Sequence, residues 1–327
     1  MAMQPNPFTQ DLANTSTLLP ACDRFEAAHH HWSGRELDAL ALAYAARRPL
    51  LVRGEPGSGK SQLARAAAVL MHAAAPRVQV IHPRFEPRDL LYRYDTIRRL
   101  ADANTPGSKV EDKHYVQPGV LWQAWADAAH SRPAVVLVDE IDKGDADVPN
   151  SLLEVLGQRS FRVDEVPDMP TPALPPGAMP LVVITTNEER ELPAAFVRRC
   201  VVLNLNPPSN EIDLLEWLQV RVQAHFATMQ PLAPEVVKLA LTQVLADRRE
   251  AIRLGYPKVG LAEALDLLTA LAEITRDVPE AQRRRMQEHW LGRISVYALV
   301  KHAGTDPGQS RPPVKPAPAD GAAADNA

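Results

Sequence analysis

Pro49-Leu50-Leu51-Val52-Arg53-Gly54-Glu55-Pro56-Gly57-Ser58-Gly59-Lys60-Ser61 decides how the rest of this chain is read. An apolar run leads into a glycine-rich loop, and a helix-compatible run, Gln62 to Ala68, follows. That strand–loop–helix order is the context a phosphate-binding loop needs. The glycines let backbone N–H groups converge on a β-phosphate, and the helix start adds partial positive charge. Lys60 is placed to reach β- and γ-phosphates, and Ser61 to hold Mg²⁺. Gly54, Glu55, Pro56, Gly57, Ser58, Gly59, Lys60 and Ser61 are therefore the candidate nucleotide-binding residues. By itself the loop fits ATP or GTP.

Working outward, 327 residues suffice for one large domain or two modest ones, each with a core. An apolar content of 46% fits a globular protein. No apolar run approaches the ~20 residues of a membrane span. Met1 to Gln10 is polar and proline-punctuated, without an export pattern, so the expected compartment is the cytoplasm. Cys22 and Cys200 are too few for a disulfide scaffold and lack metal-site spacing. The formal charge of −4 argues against a surface that coats nucleic acid. Arg283-Arg284-Arg285 reads as a solvated helix face.

Residues 1–20 read as a loose arm, and Asp23 to Ala46 as a helical pattern carrying Leu37, Leu40 and Leu42. Strands are expected at 50–53, 77–82, 134–138, 181–186 and 201–205. Helices are expected at 60–74, 119–130, 147–157 and 190–198. Apolar strands alternating with helices mean a parallel α/β sheet, whose ligands bind at the strands' C-terminal rim. Composition changes at Asn206-Pro207-Pro208, a hinge. Beyond it the text is helical throughout, at 210–226, 234–247, 260–276, 280–290 and 293–302. The reading is thus an α/β domain over 21–205, a small all-helical domain over 206–304, and a disordered Pro/Ala-rich tail over 305–327.

The run Val135 to Val138 ends in Asp139-Glu140. A buried strand that delivers two carboxylates to the rim of a sheet implies work for them. Asp139 is placed to bind Mg²⁺ through water, and Glu140 to polarise an attacking water. Asn187 follows the strand at 181–186 on the same rim, where a neutral amide can orient water or touch a γ-phosphate. Arg198 and Arg199 end the helix before the last strand. They either offset its dipole or reach a neighbouring subunit's γ-phosphate, and spacing alone does not choose.

These stretches together resemble an AAA+ ATPase, and within that superfamily the MoxR-type branch. The resemblance is carried by Gly54 to Ser61 (Walker A), Val135 to Lys143 (Walker B), Thr185-Thr186-Asn187 (sensor 1) and Glu191 to Arg199 (finger helix). Asp89 to Asp95 and Pro118 to Trp122 also look like this branch. It implies a five-stranded core with a helical lid, ATP and Mg²⁺ between them, and hexameric rings with an arginine supplied in trans. Position in the pattern favours Arg199, with Arg198 behind it. The resemblance also implies two insertions, a hairpin suited to the polar stretch 95–117 and a second suited to the proline-rich stretch 162–180. The sensor 2 position departs from the family: Lys258 either replaces the usual arginine with a point charge or faces solvent.

The function so implied is ATP-driven remodelling or maturation of a partner, a chaperone role often shared with a von Willebrand factor A-type protein. An alternative is a nucleotide-state switch that controls an effector in a bacterial conflict or signalling system. The acidic charge and the lack of a DNA-binding element argue against a DNA motor.

Overall fold

The computed structural model describes residues 5–105, 110–158, 160–175, 178–227 and 232–299. The chain divides between Asn206 and Pro207 into two compact units. In the first unit the strands are β1 (Ser16–Leu19), β2 (Ala28–His31), β3 (Leu50–Arg53), β4 (Arg77–Val80), β5 (Tyr92–Tyr94), β6 (Val116–Pro118), β7 (Val135–Asp139), β8 (Leu181–Thr186) and β9 (Val201–Asn204). Its α-helices are α1 (Gly34–Ala46), α2 (Lys60–Leu70), α3 (Thr96–Ala103), α4 (Val120–Ala129), α5 (Val148–Gly157) and α6 (Ala194–Val197).

The central sheet has five strands in the order β4-β7-β8-β3-β9, every pair parallel. This is the expected α/β core. Alternate residues face opposite sides, as the two-residue period of a strand requires. Leu51, Val136, Val138, Val182 and Ile184 pack with α4 and α5 residues such as Leu121, Trp125 and Leu152. Leu50, Val52, Val135, Leu137, Val183 and Leu203 pack with α1 and α2 residues such as Leu37, Leu40 and Leu63. Strands covered on both faces need continuous apolar runs, which is why the inner strands β3, β7 and β8 were legible.

The N-terminal segment is not a loose arm. β1 and β2 pair antiparallel, and Phe8, Leu19 and Trp32 are buried in the α1/α2 layer. The helix expected from Asp23 begins only at Gly34. Ser33 accepts the N–H of Glu36 while the Glu36 carboxylate accepts the N–H of Ser33, a reciprocal cap that fixes the start. The expected helix over 190–198 shrinks to the single turn of α6, since Pro193 cannot supply a helical N–H.

Of the two expected insertions, the first is bracketed by β5 and β6, which pair antiparallel around α3; residues 106–109 lie outside the described part. The second contains no strand among its described residues. Prolines at 167, 170, 172 and 175 remove the donors a ladder would need. Phe161 instead anchors the segment against Tyr92, Trp122 and Trp125.

The second unit contains α7 (Glu211–Phe226), α8 (Pro234–Leu254), α9 (Leu261–Ile274) and α10 (Glu280–Leu299) around its own apolar core. The helices expected at 280–290 and 293–302 are one helix as far as Leu299, because buried Leu291, Ser295 and Val296 carry it past Gly292. Residues 300–304 and the tail at 305–327 lie outside the described part. No described helix is long and apolar enough to cross a membrane.

Candidate active site

Apart from Arg198 and Arg199, the sequence-identified residues of the first unit converge on the C-terminal rim of β3, β7 and β8. The loop after β3 turns with Gly57 at φ 74° and Gly59 at φ 96°, backbone angles that a side chain would strain. Gly54 is packed so closely that a Cβ there would lie 2.9 Å from the Leu205 carbonyl oxygen. Asn206 Oδ1 accepts the N–H of Glu55 at 3.1 Å, so the residue that ends the first unit holds the loop's shoulder.

Lys60 opens α2 and is 7% exposed. Its Nζ donates to the Gly54 and Glu55 carbonyls at 2.7 and 2.9 Å, folding the ammonium into the loop. Burial pulls the Lys60 pKa below its ordinary value, against the opposite pull of Asp139, Asp142, Glu140 and Glu55. The buried Ser58 hydroxyl has no partner, as expected of a cradle shaped for something further.

Ser61 Oγ lies 3.1 and 3.2 Å from the two Asp139 oxygens. The donor set here is a hydroxyl and a carboxylate, and among the described residues no His/Cys/Asp/Glu group of three or more could cage a metal. Sparse oxygen donors suit Mg²⁺, which keeps waters and takes substrate phosphates as further ligands. The residues present therefore fit Mg²⁺ and a polyphosphate.

Thr185 ties this carboxylate to the next one. Its hydroxyl, 1% exposed with the residue, donates to Asp139 Oδ1 at 2.5 Å and accepts the N–H of Glu140 at 2.9 Å. Glu140 itself is left-handed (φ 60°, ψ 51°), which turns the chain sharply as it leaves β7. One Glu140 oxygen lies 3.0 Å from Lys143 Nζ, and the other 3.5 Å from Asn187 Nδ2. The Glu140 carboxylate beside it raises the Lys143 pKa.

Arg198 and Arg199 are exposed and lie at the other end of the sheet. The Arg48 side chain donates to the carbonyls of both, and Val201 N donates to Pro49 O. Both arginines thus leave the chain beside the start of β3, whereas the phosphate loop follows its end. At ~3.3 Å per extended residue, the span from Arg48 to Gly54 is roughly 20 Å. They do not join the cluster in their own chain. Lys258 is exposed on the loop between α8 and α9 in the second unit.

Residues 49–200 match the family AAA domain (dynein-related subfamily). Over that stretch, somewhat less than half of its length, the chain is similar to this family. Its parallel five-stranded sheet and helical elements agree with that family, and the domain supports nucleotide hydrolysis in general terms. No curated protein matches the chain. Among solved structures, one described as a "putative ATPase" from Cytophaga hutchinsonii is 16% identical and covers 75% of this chain and 77% of its own, at a TM-score of 0.34. A likeness that loose carries no argument about activity.

Sequence reading quoted Thr185, Asp142 and Lys143 within its motifs but gave them no role, and it missed Arg48 and Asn206 as parts of the site. Lys143 and Asp142 stand within three residues of Glu140, which was the available signal. Arg48 and Asn206 act on residues about 150 positions away, and nothing in the sequence pairs them.

Proposed function

We propose that the protein is a MoxR-type AAA+ ATPase that hydrolyses ATP with Mg²⁺ in a ring oligomer to remodel or mature a partner protein.

 

The ring of this reading is hexameric, and each active site is shared between two neighbouring subunits. The observation that carries it is the cluster at the C-terminal rim, where Ser61, Asp139, Thr185, Glu140 and Asn187 are linked by hydrogen bonds beside the phosphate loop. Preorganised donors and carboxylates of this kind act mainly by positioning and electrostatics, as phosphoryl transfer requires.

On this reading Lys60 leaves the Gly54 and Glu55 carbonyls to bind the β- and γ-phosphates. Ser61 and Asp139 would hold Mg²⁺, which would neutralise phosphate charge. Glu140 would orient and polarise the attacking water, and Asn187 would fix the Glu140 carboxylate and be available to a γ-phosphate. Arg199, with Arg198 as the second candidate, serves the neighbouring subunit's site. The trans assignment is supported by the roughly 20 Å between the Arg48 grip on their carbonyls and the chain's own phosphate loop. Lys258 is the candidate sensor in the second unit. The partner is a protein client, with a von Willebrand factor A-type protein as the first to test.

Replacing Glu140 by glutamine tests the reading. E140Q should bind ATP as the wild type does and lose at least ~100-fold in turnover. Unchanged turnover would remove Glu140 from the mechanism, and an inactive wild type would remove hydrolysis itself. Partners retained by ATP-loaded E140Q, and released by the wild type as it hydrolyses, would identify the client.

A further inference from the structure

Asp142 is one of the most buried carboxylates of the first unit, 3% exposed, and it stands two residues beyond Glu140. Such a group is retained only when hydrogen bonds replace its lost hydration. Its two oxygens each accept a backbone N–H from across the sheet: Oδ1 from Asn187 at 3.4 Å and Oδ2 from Glu189 at 3.0 Å. Both donors belong to the turn that follows β8. That turn contains Glu188 in the left-handed region at φ 60°, and Thr186 Oγ1 accepts the Glu188 N–H at 2.9 Å.

The β7/β8 register runs from Val135↔Leu181 to Val138↔Ile184. Past that point the strand ends are tied by side chains, Thr185 on one side of Glu140 and Asp142 on the other. A left-handed glutamate in each turn is a strained arrangement that persists only where surrounding bonds over-determine it. Asp142 supplies two such bonds to the turn that carries Asn187.

We propose that Asp142 is a positioning residue for hydrolysis, which holds the Asn187 turn so that the Asn187 amide meets the Glu140 carboxylate. The proposal rests on the hydrolytic reading of Glu140 and Asn187. Asp142 does not touch the reacting atoms in this role, and it acts through the backbone of Asn187 and Glu189.

The test is a kinetic cycle with D142N, N187A and the double variant, together with binding of a fluorescent ATP analogue. D142N keeps the shape but turns an N–H donor toward a backbone N–H. Its kcat should fall about 10-fold or more, with nucleotide Kd within about threefold. The double variant should be no more than about twofold slower than N187A, because both changes remove one interaction. E188G, which relaxes the left-handed turn, should restore part of the D142N loss in kcat measured at equal folded fraction. D142S guards against a folding failure of D142N, since it leaves an oxygen acceptor and no charge. Multiplying effects in the double variant, or a kcat within twofold of wild type, would overturn the proposal. Should the wild type not hydrolyse ATP, the function fails separately, and amide hydrogen exchange decides the Asp142 contact. Residues 187–189 should exchange faster in D142N or D142S with the rest unchanged, and equal exchange overturns it.

Discussion

Thr185→Val is the sharpest perturbation the site offers, because it changes one buried hydroxyl into a methyl at nearly constant volume. The hydroxyl donates to a carboxylate, Asp139, and accepts from the Glu140 backbone. A hydrogen bond to a charged group contributes about 1.5–3 kcal/mol, and an orphaned N–H costs about 1–3 kcal/mol. Glu140 is partly exposed, so water recovers some of the second loss, and the net is about 2–4 kcal/mol. At about 2–4 °C per kcal/mol for a domain of this size, the melting temperature should fall by roughly 4–16 °C. The Glu140 backbone is also released from its left-handed position, and misplacement of that order costs about 100-fold in turnover. Thr185→Ser keeps both bonds and should retain most of the activity. Differential scanning fluorimetry with a coupled phosphate-release assay reads both quantities. A T185V protein that melts within 2 °C of wild type, at roughly unchanged turnover, would refute the linkage of Asp139 to Glu140 through this hydroxyl.

Two further outcomes are expected. R199A and K60A proteins should each be inactive, and mixing them should restore a measurable part of the turnover, since an intact arginine then meets an intact phosphate loop; no recovery at any ratio would refute the trans assignment. Burial pushes the Cys200 thiol up to about 11 from an ordinary 9.0, although Arg48 and Arg53 pull it down. At pH 8 only about a thousandth of it is thiolate, so a thiol reagent should label half-buried Cys22 first and Cys200 after denaturation. The sign for stability follows: the raised native value stabilises the fold fully below pH 9.0 and is lost as the pH rises through about 11. Rapid labelling of both thiols in the native protein would contradict the burial.

The three inner strands of the central sheet, β7, β8 and β3, were legible because each buries both faces and so reads as an apolar run, Val135 to Val138 most plainly, whereas the edge strands β4 and β9 are only partly buried. The phosphate loop and Asp139-Glu140 were legible for a different reason: glycines and paired carboxylates mark backbone geometry and charge that a core cannot use. The N-terminal hairpin was not, since Ser16 to Leu19 is short and Ala28 to His31 is rich in histidine, with only Leu19 and His30 buried. Ser33-Gly34-Arg35-Glu36 did carry the signature of a capped helix start, and it would have corrected the helix placed from Asp23. The bonds that set the site join residues about 45 positions apart, Thr185 to Glu140 and Asn187 to Asp142. Their pairing depends on β7 and β8 being neighbours, which composition does not encode.

The site is divided by the sheet itself. Everything held by hydrogen bonds at the C-terminal rim belongs to strand ends whose positions the parallel ladders fix. Its relative geometry is therefore set before any nucleotide arrives, including the two left-handed glutamates at 140 and 188. Holding each of them costs of order 1–3 kcal/mol, and the bonds from Thr185 and Asp142 offset it. The arginines at 198 and 199 follow the opposite logic. They are exposed at the N-terminal rim, gripped by Arg48 through their backbone only, so their side chains stay available to something outside the chain. A site complete in itself would need no such arrangement. On the proposed reading, rigid carboxylates at one rim and presented cations at the other would make turnover depend on how a second subunit is seated, and that would be the physical route by which assembly controls hydrolysis.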